Sequence, residues 1–184
     1  MERPIIEIMD TTLRDGEQTS GVSFVAREKL MIARLLLEDL KVDRVEVASA
    51  RVSEGEFNTV KMICDWASAR NMLSRVEVLG FVDGKVSVDW IHKAGCRVIN
   101  LLTKGSEKHC TYQLKKTLAE HVADIREVVR YAQQCDMSVN VYLEDWSNGI
   151  KDSPDYVFGL IDGLQDMGIK RFMLPDTLGI LNPL

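Results

Sequence analysis

Short apolar runs alternate with longer segments whose apolar residues recur at helical spacing, from one end of the chain to the other. Ile5–Met9, Arg44–Ser49, Arg75–Phe81, Val98–Thr103, Ser138–Glu144 and Arg171–Thr177 read as strands, the first of them buried. Between them, Ala26–Leu40 places Leu30, Ala33, Leu37 and Leu40 on one helical face. The stretch from Ser53 to Arg70 does the same with Phe57, Val60, Met62, Ile63 and Ala67, and Ser53 followed by Glu56 reads as a capping box. A shorter helix near Val86–Ala94 stops at Gly95. Thr117 caps a helix reaching Gln134, and Ser153-Pro154 opens one that ends near Gly168. Lys104–Lys116 and Asp145–Gly149 read as loops, the first long and polar in the manner of functional loops.

Strands that alternate with helices in this way form a parallel sheet with right-handed crossovers. Two architectures fit, an open doubly wound sheet and a (β/α)8 barrel without its last two units. The polar residues separate them. Arg14, Asp15, Asn100, Glu144, Asp176 and Thr177 fall at strand carboxyl ends from the first unit to the sixth. A barrel gathers such ends around one mouth, whereas an open sheet has a single crevice and leaves several apart. No glycine-rich phosphate fingerprint follows the first strand, where only Gly16 and Gly21 occur. The expected fold is therefore α/β, an incomplete (β/α)8 TIM barrel. One domain should span residues 1–184 and stop before the seventh strand, since no linker or compositional shift divides the chain.

With 184 residues, 46% hydrophobic and 28% charged, the chain can bury a sizeable core. A net charge of -5 argues against nucleic acid and anionic membrane as partners. No apolar run is long enough for a bilayer and none reads as a signal peptide, so a cytoplasmic location is expected. Cys64, Cys96, Cys110 and Cys135 are scattered without a C-x-x-C pair and read as reduced thiols rather than a zinc site.

Chemistry concentrates in Asp10-Thr-Thr-Leu-Arg14-Asp15-Gly-Glu17-Gln18, at the end of the first strand. Adjacent opposite charges at a strand mouth suit an anionic substrate held beside a metal; a solvated turn is the alternative. The nine-residue string resembles the signature of the 2-isopropylmalate, homocitrate and citramalate synthases, relatives of the hydroxymethylglutaryl-CoA lyases. The likeness continues in Asn100-Leu-Leu-Thr-Lys-Gly-Ser106 with His109, in Tyr142-Leu-Glu-Asp-Trp146 and in Leu174-Pro-Asp-Thr-Leu-Gly179, and so covers the chain.

That resemblance implies a Claisen-type condensation. Acetyl-CoA loses a methyl proton, the carbanion attacks the keto carbon of a 2-oxo acid, and the thioester is hydrolysed. It implies a divalent metal (Mn, Mg or Zn) with Asp15 as a ligand, and Arg14 as the cation for the developing alkoxide. Glu144 is either the base or the group that orients Arg14, and Thr177 contacts the substrate carboxylate. Strand alternation puts Tyr142 and Glu144 on one face. Leu79, Leu102 and Tyr142 would fill space beside the metal and favour the methyl group of pyruvate, a pattern similar to citramalate synthase. Ordinary barrel packing is the alternative for each leucine. Conversion of 2-oxoisovalerate to 2-isopropylmalate remains open, as do a lyase or aldolase of the same superfamily and a non-catalytic scaffold. Either condensation belongs to branched-chain amino-acid biosynthesis. The family's His-x-His metal pair is missing, because His92, His109 and His121 form no such pair. The chain thus resembles the first six units of the enzyme, expected alone to be inactive, to bind metal weakly and to associate through open sheet edges. The full-length enzyme is expected to be a homodimer.

Overall fold

The computed structural model describes residues 5–182. Its strands follow one another in chain order, β1 (Met9–Asp10), β2 (Arg44–Ser49), β3 (Val76–Phe81), β4 (Val98–Lys104), β5 (Ser138–Glu144) and β6 (Arg171–Met173), in a six-stranded sheet. This is the order of the first six strands of a (β/α)8 barrel, the architecture that the polar residues at the strand ends favoured over an open doubly wound sheet. The chain divides into two compact units: residues up to Leu79 with Asp89–Val98, and Gly80–Val88 with Ile99 onward.

In the first unit β1 pairs in parallel with β2, and β2 with β3. Val45 and Val47 alternate with Arg44 and Glu46, so one face of β2 is aliphatic and the other charged. The helices α1 (Ala26–Arg34) and α2 (Glu54–Ser68) pack on each other and bury Ala33, Val60, Ile63 and Ala67. The Glu56 N–H donates to Ser53 Oγ at 3.0 Å and caps α2, but the Glu56 carboxylate goes to Lys29 rather than back to Ser53, so only half of the expected capping box forms. Phe57 meets Trp90, on α3 (Val86–Lys93), edge to face with centroids 5.3 Å apart.

Two expectations change here. The first strand is only Met9–Asp10, and Ile5, Ile6 and Ile8 are 92%, 82% and 60% exposed rather than buried. Among the described residues β1 pairs only with β2, so the run that reads as buried lies along the open edge expected of the first strand. The helix after it also changes character. α1 gives way to a π turn over Leu35–Asp39, which buries Leu37 but turns Leu40 out to 69% exposure. A wider turn shifts the phase of every later side chain.

In the second unit β5 pairs in parallel with β6, Asn140 opposite Arg171 and Tyr142 opposite Met173. The helices α5 (Leu118–Gln134) and α7 (Pro154–Asp162) cover an aliphatic core of Ile125, Val129, Val139, Val141, Leu143 and Leu160. Thr117 and Glu120 form a reciprocal capping box at the start of α5. The last helix ends at Asp162, and a 3-10 turn at Gln165–Met167 carries the chain to Gly168, whose φ of +66° needs glycine. Both segments that read as loops contain helix. One holds a short turn, α4 (Glu107–His109), followed by a π turn at Cys110–Leu114. The other opens α6 (Trp146–Asp152) from Asp145 in the left-handed region. A Cβ on Gly149 would lie 2.0 Å from the Gly105 carbonyl oxygen, so backbone contact rather than apolar periodicity defines this turn. β6 stops at Met173, four residues early, where Asp176 takes the Ile180 and Leu181 N–H groups and bends the chain away. Cys64, Cys96 and Cys110 are buried and Cys135 half-buried, all as free thiols. Among the described residues no helix is long and apolar enough to cross a membrane.

Candidate active site

The signature stretch coils around one carbonyl. Thr11 O accepts from the N–H groups of Arg14, Asp15 and Gly16 at 3.1, 2.8 and 3.1 Å, and Asp10 caps the turn through the Thr12 N–H at 2.9 Å. Leu13 is buried and anchors the loop, which projects Arg14 onto the charged face of β2. The guanidinium is held on two sides. Arg14 Nε donates to Glu46 Oε2 at 2.5 Å and its NH1 to Asp15 Oδ1 at 2.7 Å. Glu46 is fully buried, whereas Asp15 is 62% exposed. The buried carboxylate fixes the orientation of the guanidinium.

Around Arg14 opens a groove of about 380 Å³, lined also by Glu17, Gln18, Ser49 and Glu56. Its wall is tied together by Lys29, itself buried, whose Nζ lies 2.5 Å from Glu17 and 2.7 Å from Glu56. Leu79 is buried on β3, opposite Ser49 in the register, and its carbonyl accepts the Ala50 N–H.

The second unit carries the other expected residues. Leu102 on β4 and Tyr142 and Glu144 on β5 are half-buried while their strand neighbours Leu101, Val141 and Leu143 are fully buried, so the alternation places them as expected. Lys104 Nζ is hydrogen-bonded to Glu144 Oε2. Deeper on the same strands Asn140 donates to Asn100 Oδ1 at 2.8 Å. Beyond Glu144, Asp145 is a buried hub. It accepts Ser106 Oγ at 2.8 Å and Asn148 Nδ2 at 2.7 Å, and its own N–H donates to Thr177 Oγ1 at 2.9 Å. His109 Nδ1 stands 3.6 Å from the Asp145 carboxylate. Thr177 is exposed, and its hydroxyl proton is still available to an acceptor. Ser147 and the Leu181 N–H, in that order, hold the Asp176 carboxyl below the usual carboxylate range.

Three groups in these sites escaped the sequence reading: Glu46, Lys29 and Lys104. Glu46 did carry a signal, a charge in the middle of a buried strand. Lys104 sits two positions after Leu102 and so shares its face. Lys29 lies in a helix of mixed charge and shows nothing locally.

A divalent ion does not fit the described residues by themselves. No group of three His, Cys, Asp or Glu side chains among them is placed to hold one. Asp15 has one carboxylate oxygen already on Arg14.

Consecutive βα units with charged and polar groups at the strand ends define a protein of the (β/α)8-barrel class. Solved structures carry the same fold. The hydroxymethylglutaryl-CoA lyase of Pseudomonas aeruginosa matches 96% of this chain and 59% of its own, with a TM-score of 0.68 at 18% identity. The HMG-CoA lyase of Brucella melitensis matches 97% and 63%, with a TM-score of 0.67 at 22% identity. The chain belongs to the HMGL-like family, whose profile matches residues 5–184. It is 36% identical to the 2-isopropylmalate synthase of Saccharolobus solfataricus and 35% identical to a probable 2-isopropylmalate synthase of Ignicoccus hospitalis. It is 32% identical to the (R)-citramalate synthase of Methanocaldococcus jannaschii. Each match takes in 97% of this chain, but the chain spans only 44%, 42% and 35% of those relatives respectively.

Proposed function

We propose that this chain serves an acetyl-CoA-dependent condensation with a 2-oxo acid, pyruvate being the preferred acceptor. The observation that carries the reading is the guanidinium of Arg14, locked by buried Glu46 in a groove at the end of the first strand. The acetyl methyl C–H bond breaks and its proton passes to a base, the resulting carbanion bonds to the keto carbon, and the keto oxygen, left as an alkoxide, takes up a proton. Arg14 stabilises that developing charge. Glu144 is the proton-transfer group, and Thr177 donates to the acceptor's carboxylate. Water then cleaves the thioester and releases the CoA thiol. Leu79, Leu102 and Tyr142 limit the acceptor's side chain, which supports pyruvate over 2-oxoisovalerate. Asp15 would be this chain's ligand to a divalent metal.

The experiment is thiol release from acetyl-CoA, with pyruvate and with 2-oxoisovalerate, by this chain alone and by any longer protein that contains it, the longer protein being the one that decides. Pyruvate-dependent release exceeding that with the branched acid is expected. Preference for 2-oxoisovalerate would overturn the acceptor choice, and no release with either would overturn the reaction.

A further inference from the structure

The groups around Lys104 point to a task for it. Lys104 ends β4 and Glu144 ends β5, and the ammonium binds the carboxylate at Oε2. The backbone beneath the ammonium is held from three directions. The Lys104 N–H donates to Nε2 of buried His121 on α5 at 3.2 Å. Its carbonyl accepts from the hydroxyl of buried Tyr156 on α7 at 2.9 Å. The next N–H, of Gly105, donates to the Glu144 carbonyl at 2.6 Å. Gly105 itself admits no side chain, because a Cβ there would lie 2.4 Å from Leu143 O.

Burial suits both helix residues to these bonds. It lowers the His121 pKa to about 4, so the ring is neutral and Nε2 can accept. It raises the Tyr156 pKa, so the hydroxyl keeps its proton and donates. Two buried titratable groups with no place in the condensation are thus committed to one lysine. A flexible four-carbon stem loses much rotamer entropy when fixed, and a backbone pinned on both sides narrows the positions open to its ammonium. Leu102 and Tyr142, proposed above to limit the acceptor, lie two residues back along the same two strands.

We propose that Lys104 is a positioning residue: pinned by His121 and Tyr156, it holds the Glu144 carboxylate in one rotamer, with Oε2 engaged and Oε1 turned to the reacting groups. The functional half of this proposal rests on the condensation proposed above. The side chains of the pair are 18% and 28% exposed, so solvent reaches the ion pair and screens its contribution to folding. Loss of the lysine should therefore leave the fold intact and free the carboxylate.

The test uses the intact protein with ¹⁵N-labelled lysine, in wild type and in Lys104→Met, Lys104→Arg and Glu144→Gln variants. A slowly exchanging ammonium resonance is expected in the wild type, absent in Lys104→Met and lost or shifted in Glu144→Gln. Lys104→Met should lower kcat by about 10–100-fold, with KM for the oxo acid changed by less than about twofold. Lys104→Arg should restore most of kcat, and melting temperatures should stay together. An ammonium signal that is missing in the wild type or indifferent to Glu144→Gln overturns the proposal. An unchanged kcat in Lys104→Met overturns it, as does a kcat loss that follows a fall in melting temperature. If the wild type releases no thiol with either oxo acid, the condensation falls, and the ammonium signal alone decides whether Lys104 holds Glu144.

Discussion

Charged side chains in both units work in linked sets, and the consequence of changing one depends on what its partner then does. Arg14 is the clearest case. A lysine there keeps the charge but cannot reach Glu46 and Asp15 as a planar fork does. Arg14→Lys is expected to lower kcat for thiol release by about 100-fold, the size of effect seen when one preorganised donor to an oxyanion is lost. Melting should shift by only a few degrees. Tyr142→Ala should raise kcat/KM for 2-oxoisovalerate relative to pyruvate by about 10–100-fold, the value of one or two methylene-sized contacts. An unchanged pyruvate preference would remove Tyr142 from the acceptor pocket. His121 supplies a pH signature. Its pKa is lowered to about 4 by burial, with Lys116 and Lys104 opposing the proton and Asp124 favouring it. In the unfolded chain the ring protonates near pH 6.5, so between these values the unfolded state binds more protons. Stability is complete above about pH 6.5 and falls by about 3 kcal/mol as the pH drops to about 4. Urea denaturation across that range, compared with His121→Gln, should show this slope in the wild type only.

The elements are assembled by apolar faces in the core and by backbone contact at the site. Gly105 and Gly149 show the second mode. Added Cβ atoms would lie 2.4 Å from Leu143 O and 2.0 Å from Gly105 O, distances at which backbone must move. Alanine at either position should destabilise by about 3 kcal/mol or more, the upper range for overpacking. Gly55, in the first turn of α2, is the contrast, since a Cβ there meets only Ser53 Oγ at 3.7 Å. Gly55→Ala should be neutral or stabilising by about 0.4–1 kcal/mol. Equilibrium unfolding of the three variants checks both statements. The turn into α6 and the early end of β6 were hidden from periodicity for this reason: they are shaped by polar and backbone contacts of Gly149 and Asp176, which carry no apolar repeat.

For the molecule as a whole, the exposed stretch Ile5–Ile8 matters most. Ile5, Ile6 and Ile8 are all solvent-exposed beside β1, which among the described residues has β2 as its one strand neighbour. An apolar edge of this kind pairs readily with another chain. Sedimentation velocity should show association that grows with concentration, and an Ile6→Lys, Ile8→Lys double variant should reduce it. A clean monomer in the unaltered chain at all concentrations would contradict this.

Much of the architecture was present in local spacing. Alternation of short apolar runs with amphipathic stretches set the parallel α/β sheet and the faces on which Leu102, Tyr142 and Glu144 lie, and the polar residues at the strand ends chose the barrel over an open sheet. The string from Asp10 to Gln18 marked Arg14 and Asp15. Local spacing decides which side of a strand or helix a residue occupies, because that follows from backbone periods of 2 and 3.6. It does not decide which neighbour a side chain meets. Arg14 with Glu46, Lys29 between Glu17 and Glu56, and Lys104 with Glu144 are pairs set by register and helix placement. The register itself shifts between Glu46 and Ser49, a change no residue pattern announces. Tertiary structure alone therefore chose the partners of the charges, and it exposed Ile5, Ile6 and Ile8, which the apolar run had marked as buried, along the open edge expected of the first strand.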